Sequence, residues 1–148
     1  MDEGPRFFTV EEANDLVSTL EIEFGRVARI RAELVPLVDS LGGPEVAAAI
    51  LGEREDAAPP GRVEDARRLV LLAGEITAAV ERVNELGCLV KDLEAGLVDF
   101  YALDDGEPVF LCWQFGEPGV AHWHAIDEGF AGRKPIDGVT VRPPAMPN

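Results

Sequence analysis

Four side chains that can bind a transition metal are concentrated in the last third of the chain. Asp99 lies inside an apolar segment, and Cys112, His122 and His124 follow it. Thiolate and imidazole are ligands that zinc and iron accept, and a carboxylate can complete the coordination shell. Glu117, one loop away, offers a further ligand or a general base. These residue types predict a site for a divalent transition metal such as zinc, or for a small-molecule ligand.

A strong hairpin signal predicts how these residues approach one another. Asp105-Gly106 separates two apolar segments and favours a two-residue turn. That turn puts Asp99 directly opposite Cys112. A second, less strongly signalled turn puts His122 opposite Cys112 and His124 two residues further along the same face, since side chains alternate along a strand.

The same register separates the two faces of the predicted sheet. One face is apolar and is expected to pack on helices; it carries Val98, Phe100, Val109, Leu111, Trp113, Ala121 and Trp123. The other face is polar; it carries Asp99, Tyr101, Cys112, Gln114, His122 and His124. A shift of one residue in the second turn would move both histidines to the apolar face.

The same polar residues are also compatible with purely structural roles. Cys112 can be a small buried apolar side chain, Asp99 a hydrogen-bond acceptor at a turn, and the histidines part of a solvated or dimer-facing surface. Nucleophilic catalysis by Cys112 needs a base oriented by a third group. Asp99 is expected on the far side of the cysteine from His122, so it cannot orient that histidine. Arg133, in a glycine-rich loop, and Glu117 are candidate ligand-binding residues, because arginine offers a planar fork to an anion.

Two long helices are predicted upstream of the sheet. Thr9 and Glu12 form a capping-box signal. Apolar residues that recur every seven positions predict a helix over residues 9–41, with a kink or an early end before Pro36. Apolar spacings of three and four predict a second helix over residues 63–95.

These elements predict an α+β fold in a single domain over residues 1–148. The two helices are expected to form a long antiparallel, coiled-coil-like hairpin joined by a connection over residues 42–62. A short helix and a mobile loop over residues 53–62 are expected within that connection. A small antiparallel sheet of three to four strands is predicted over residues 97–142, with residues 138–142 as an edge strand.

Composition limits the partners of the protein. The chain has 28 acidic and 13 basic residues and a net charge of −15. Such a surface disfavours nucleic acids and anionic membranes, whose binding requires lysine and arginine. No apolar run approaches the ~18 residues of a membrane span, and the first residues do not resemble a signal peptide. Two cysteines do not make a disulfide framework, so a cytoplasmic location is expected.

The helices carry more apolar residues than one partner helix can cover. The surplus residues are Leu16, Ile22, Ile30, Val35, Leu37, Val70, Leu71 and Leu89. A homodimer or a larger homo-oligomer would bury them.

Several motifs carry a family resemblance. They are Phe8-Thr9-Val10-Glu11-Glu12-Ala13-Asn14, Val90-Lys91-Asp92-Leu93, Gly96-Leu97-Val98-Asp99-Phe100, Leu111-Cys112-Trp113, Gly116-Glu117, Trp123-His124, Gly129-Phe130 and Gly132-Arg133. In this order they resemble a bacterial family known as a domain of unknown function, numbered twenty-two-zero-three. The resemblance covers nearly the whole chain outside residues 42–62. It implies a small cytoplasmic bacterial protein with no established activity. Different residues often occupy the position of His122 in this family, which favours His124 as the functional histidine.

Two functions follow from these observations. The first is a homo-oligomeric interaction or scaffold protein that uses its helical hairpin to bind itself or a partner. The alternative is a small metal-binding or ligand-binding protein, or an enzyme, that uses the polar sheet face. The sequence leaves enzymatic activity undecided, and metal analysis of untagged protein distinguishes the two functions.

Overall fold

The computed structural model describes residues 5–52 and 55–136. The chain divides into two compact units. One comprises Met1–Phe24 and Arg82–Asn148, and the other comprises Gly25–Glu81. The chain passes from one unit to the other inside two of its helices.

The mixed α+β class is confirmed. In the described residues the α-helices are α1 (Val10–Asp15), α2 (Val17–Leu41), α3 (Pro44–Leu51) and α4 (Val63–Glu85). The strands are β1 (Leu89–Asp92), β2 (Leu97–Asp104), β3 (Glu107–Gln114), β4 (His122–Ala125) and β5 (Lys134–Pro135). They form one antiparallel sheet in which each strand pairs with its neighbours in sequence.

The start of the first helix is confirmed, but its continuity is not. The Thr9 hydroxyl accepts the Glu12 backbone N–H at 3.0 Å, and the Glu12 carboxylate accepts the Thr9 N–H at 2.9 Å. The prediction of one helix over residues 9–41 is wrong at Leu16, where α1 ends before α2 begins. Of the kink or early end predicted before Pro36, the early end is wrong, because α2 continues to Leu41, and the kink stays a prediction. One missing backbone bond costs less than the packing of the apolar residues around it.

The prediction that the second helix reaches residue 95 is wrong. α4 ends at Glu85, and Gly87 adopts a φ of +100°, which glycine reaches without steric cost. The chain then enters β1, where Val90 packs against the core of the sheet. Over so short a range, apolar spacings of three and four do not separate a helix from a turn followed by a strand.

The predicted β-hairpin at Asp105-Gly106 and its register are confirmed. Asp105 and Gly106 both have positive φ, 55° and 86°, as the tight turn between twisted strands requires. Asp99 lies opposite Cys112 across β2 and β3. The pairing of β3 with β4 also has the predicted register, with Cys112 opposite His122.

The predicted count of three to four strands is wrong, since the sheet has five in the described residues. The additional strands are the two-residue β5 and β1, whose residues the apolar spacing predicts as the end of the second helix. The predicted edge strand over residues 138–142 lies outside the described residues. The loop predicted over residues 53–62 contains a 3₁₀ turn at Glu55–Ala57, and its mobility stays a prediction.

The apolar face of the sheet forms the core of the first unit. Residues of α1 and α2 pack against it, and the buried members of this cluster include Phe8, Val17, Leu20, Phe24, Val83, Val98, Phe100, Leu111 and Trp113. The second unit has a core of its own, made by Leu41, Ala47, Ile50, Ala66 and Leu69.

Within residues 5–52 and 55–136, no single helix is both long and apolar enough to cross a bilayer. α2 and α3 meet the length and composition requirement only when taken together, and they are bent by 102° at their junction.

Candidate metal centre

Three potential metal ligands meet on the second face of the sheet. Asp99 on β2, Cys112 on β3 and His124 on β4 each offer one ligand atom, and these atoms lie within 4.8 Å of one another. The strand register accounts for the meeting. Asp99 and Cys112 face each other, and His124 lies two residues beyond the partner of Cys112, so its ring reaches diagonally across the sheet. Each residue is 3% exposed or less, so the three polar groups are buried together.

The hydrogen bonds of His124 determine which ring nitrogen carries a proton. Nδ1 lies 2.9 Å from the backbone carbonyl oxygen of Ala125. That oxygen can only accept, so Nδ1 must donate. In the neutral ring, Nε2 then presents a lone pair, and it lies 3.1 Å from Oδ2 of Asp99. A carboxylate oxygen and an unprotonated ring nitrogen repel each other, so a cation must lie between them. That cation is either a proton or a metal ion.

The thiol of Cys112 is the third member of the group. Burial and, to a smaller extent, the negative charge of Asp99 raise its pKa to about 12, while the positive charge of Arg133 opposes the shift. Without a metal the thiol is therefore protonated near neutral pH. A divalent ion displaces the proton of a coordinating thiol, because the thiolate is the form that binds.

Cys88, the second cysteine, has a different environment from that of Cys112. It is 1% exposed and belongs to the apolar core. Its thiol donates to the carbonyl oxygen of Val83 at 3.4 Å. Burial raises its pKa to about 11. Both cysteines are free, and Cys88 fits the description of a small apolar side chain.

A small cavity borders the three ligands. Its volume is about 100 Å³, well above the ~10–15 Å³ that a single water needs. Besides the ligands themselves, its lining residues are Lys91, Leu97, Glu128, Gly129 and Phe130. A metal held by the three side chains would therefore have space beside it for a further ligand.

Two charged residues border this cavity. The ammonium group of Lys91 lies 3.9 Å from Oδ2 of Asp99 and 4.4 Å from the centre of the Phe110 ring. Glu128 accepts the backbone N–H of Ala125 at 3.1 Å and the ammonium of Lys134 at 3.0 Å. These two contacts lower the pKa of Glu128, the backbone bond contributing more. Glu128 is therefore a paired carboxylate and a weak base.

The remaining candidate residues form a second group beside the first. One guanidinium nitrogen of Arg133 lies 2.9 and 2.7 Å from the two oxygens of Glu117, and 2.8 Å from Nδ1 of His122. Since arginine can only donate, Nδ1 of His122 accepts. The Glu117 carboxylate also accepts the backbone N–H of Gln114 at 2.8 Å, so it holds the turn between β3 and β4.

The structure thus divides the sequence-predicted residues into two sets. One set converges on a common point and consists of Asp99, Cys112 and His124. In the other set, Arg133 binds both His122 and Glu117. The predicted role of Glu117 and Arg133 in ligand binding stays a prediction.

Sequence reasoning missed Lys91, Glu128 and Phe130. Lys91 was assigned to the end of a helix, which kept it away from the sheet. Gly87 is the sequence signal that could have shown Lys91 to lie in the sheet. A glycine with positive φ ends the helix, and the residues after it form β1, which pairs with β2 at Asp99.

The fold and the buried group define a class: a small α+β protein with a carboxylate, a thiol and an imidazole converging on one face of an antiparallel sheet. The chain belongs to the family described as "Uncharacterized conserved protein (DUF2203)", which matches residues 6–136. The resemblance drawn from its motifs is therefore confirmed. No curated protein and no solved structure matches the chain.

Proposed function

We propose that this protein binds a divalent transition metal, for which zinc is the best candidate, through Asp99, Cys112 and His124. Carboxylate oxygen, thiolate sulfur and imidazole nitrogen are all zinc ligands, with bonds of about 2.0–2.3 Å and donor atoms therefore roughly 3–4 Å apart. The 3.1 Å separation of Nε2 and Oδ2 already meets this requirement. The sulfur atom, within 4.8 Å of both, needs only a small side-chain movement.

The orientation of the His124 ring is the observation that carries the proposal. Metal-binding histidines usually donate their second ring N–H to a carboxylate or a backbone carbonyl. The bond from Nδ1 to the Ala125 carbonyl has this arrangement, and it leaves Nε2 directed at Asp99. The alternative is a proton between the two groups, which makes them a buried ion pair.

Catalytic zinc sites typically have three protein ligands and an open fourth position for water or substrate, whereas structural zinc sites have four protein ligands. The cavity beside Cys112 and His124 supplies that room. His122 and Glu117 are held by Arg133, which supports leaving them out of the coordination shell. We therefore favour a ligand-binding or catalytic site over a structural one. We also propose a cytoplasmic location, because both cysteines are free and thiols stay reduced in the cytoplasm.

Metal analysis of untagged protein tests the proposal. Protein stripped with a chelator, reloaded with Zn²⁺ and freed of excess ion is expected to hold about one Zn²⁺ per chain. Cys112→Ser is expected to lose the ion, because a neutral hydroxyl is a poor zinc ligand. Cys88→Ser is the matched control, since it makes the same change at a cysteine in the apolar core.

Each result has a clear meaning. Loss of zinc in Cys112→Ser with retention in Cys88→Ser supports the site. An absence of zinc from the wild-type protein after reloading would show that a proton links His124 to Asp99, and the proposal would fail. Equal zinc retention in both variants would place the ion elsewhere and would also overturn it.

A second function is favoured by a separate observation on the helices of the second unit. Val35, Val63, Val70 and Leu71 remain exposed, each by half or more. Val63 and Val70 are seven residues apart, so they lie on the same face of α4. We propose that these side chains are covered by a second copy of the chain, which gives a homodimer or a larger homo-oligomer that acts as an interaction or scaffold protein.

The long two-helix hairpin expected from the sequence belongs to this second proposal. Two contacts within the second unit support it. Arg62 donates to Ser40, and Arg68 pairs with Glu33 at 2.7 Å. From Arg62, the residue before α4, to Arg68 within it, the partner in α2 moves back from Ser40 to Glu33, which is the relation expected between antiparallel helices.

Sedimentation at micromolar concentration tests self-association. The wild-type protein is expected to sediment as a dimer or larger species. Replacement of Val63 and Val70 by serine is expected to shift it toward the monomer. Glu75→Gln is the control, because Glu75 is exposed on the same helix but lies about 120° around it from Val63. A monomeric wild-type protein at this concentration would disprove the proposal.

A further inference from the structure

The cavity beside the proposed metal site has charged and apolar walls on different sides. Lys91 lies next to Asp99, with its ammonium 3.9 Å from Oδ2. Leu97 and Phe130 also line the cavity. A ligand that enters would therefore meet a positive group and apolar side chains at once.

A metal would add a second anion-binding group to the cavity. Without the ion, the proton between His124 and Asp99 makes them an ion pair, so the positive charge at the cavity comes from Lys91. A divalent ion would take the place of that proton and bring two positive charges, which Asp99 and the thiolate of Cys112 would balance. The metal would also offer an open coordination position, while the charge of Lys91 would still lack a counter-charge of its own. Glu128 does not supply one, since Lys134 pairs with it at 3.0 Å.

We propose that the metal-loaded site binds a short-chain carboxylate, with one oxygen on the metal and the other on the ammonium of Lys91. This inference rests on the proposed metal site. A carboxylate has two oxygens, which matches the two positive groups available. Its alkyl chain would contact Leu97 and Phe130.

The same walls disfavour phosphate. A phosphate has further oxygens, which would face Leu97 and Phe130 without hydrogen-bond donors, and an unsatisfied polar group in an apolar environment is costly. The size of the cavity, about 100 Å³, favours a ligand of a few non-hydrogen atoms. The net charge of −15 on the chain also disfavours highly charged anions.

Propanoate is the probe that tests this inference. Its binding to the zinc-loaded protein is measured by calorimetry, and binding of cobalt, which is visible by absorption, verifies that each variant still holds a metal. The wild-type protein is expected to bind propanoate when metal-loaded and not after chelation. Lys91→Met keeps the length of the side chain and removes its charge. It is expected to weaken propanoate binding about tenfold or more, because a charge-assisted bond is lost.

Two further variants separate the role of Lys91 from a general effect of charge. Lys91→Arg retains the charge and is expected to restore most of the affinity. Arg67→Met removes one positive charge at an exposed position of the second unit, so it is expected to leave propanoate binding unchanged. The folding of every variant is verified by its thermal transition.

The outcomes distinguish this inference from the proposed function. If the protein binds zinc but Lys91→Met binds propanoate as well as the wild type does, the inference is wrong and the metal site stands. If phosphate binds as tightly as propanoate, the assignment to carboxylates is wrong. If no metal binds, the proposed metal site fails and this inference fails with it.

Discussion

Both faces of the β-sheet have almost fully buried residues, and on one face these include ionisable groups. On the apolar face, Phe100 and Trp113 are fully buried among other apolar residues. On the other, Asp99, Cys112 and His124 are buried to nearly the same degree. Burial of a large apolar side chain stabilises a protein by about 1.5–3 kcal/mol. The attraction within a buried ion pair often fails to offset the cost of removing its charges from water.

This difference teaches where stability and function are located in the sheet. The apolar face explains why the sheet folds against α1 and α2. Asp99, Cys112 and His124 offer no comparable gain in stability, so a requirement for binding accounts better for their burial on the other face. Variants on the two faces should therefore have different signatures, with lost stability on one and lost ligand on the other.

The largest expected effect is on the apolar face. Phe100→Ala is expected to lower the free energy of unfolding by about 3–5 kcal/mol, because it leaves a cavity in the core. Chemical denaturation measures this change. Tyr101→Ala, at the next residue of β2 but on the other face, is the control. It is expected to cost less, since Tyr101 is only partly buried. A larger loss for Tyr101→Ala would contradict the division between the faces.

The buried pair on the polar face should give the next largest effect. In metal-free protein, His124→Leu leaves the Asp99 carboxylate buried without its partner at 3.1 Å. Such a change is expected to lower the free energy of unfolding by about 3 kcal/mol. The double variant Asp99→Leu/His124→Leu is expected to recover most of that loss, since no charge then remains buried.

The double variant also tests the site directly. It is expected to bind no zinc even if it is as stable as the wild-type protein, because two of the three proposed ligands are absent. A double variant less stable than His124→Leu would show that the polar face is needed for folding, contrary to the comparison.

A smaller difference is expected between the two thiols in metal-free protein. Burial raises the pKa of Cys88 to about 11 and that of Cys112 to about 12. Alkylation by iodoacetamide requires the thiolate, so Cys112 is expected to react more slowly than Cys88 at the same pH. Peptide mass spectrometry measures the two rates. Faster alkylation of Cys112 would indicate that Arg133 outweighs burial and Asp99.

The smallest effect concerns the edge of the cavity. Hydrogen bonding to Ala125 and Lys134 lowers the pKa of Glu128 in the folded protein. A carboxyl with a lowered folded pKa contributes stability above its ordinary pKa, and that contribution is lost as the pH falls through the folded value. Glu128→Gln should therefore be slightly less stable than the wild type at pH 7, and equally stable in strong acid. Denaturation curves at both pH values measure this, and a difference that grows in acid would contradict it.

Local signals in the sequence were sufficient for the helix start and for the first hairpin. Thr9 and Glu12 satisfy each other's backbone donors within one turn. Asp105-Gly106 has the φ values that few other residue pairs adopt. The register that follows puts Asp99 opposite Cys112, so two of the three candidate ligands could be placed from the first hairpin alone.

Features that depend on competition between distant segments could not be derived in this way. The apolar residues after Glu85 satisfy a helical pattern, and only the packing of β1 on the sheet shows that they form a strand. Lys91 was therefore placed on a helix and its position beside Asp99 was missed.

The sequence by itself determined that Asp99 faces Cys112 and that His122 and His124 point to the same side of their strand, because a tight turn fixes the register of a hairpin and side chains alternate along a strand. Only the tertiary structure decided which histidine joins the site. The loop after β4 brings Arg133 to His122, with its guanidinium 2.8 Å from Nδ1, and the ring of His124 is left to reach Asp99. That choice depends on contacts between residues far apart in the chain, which no local pattern records.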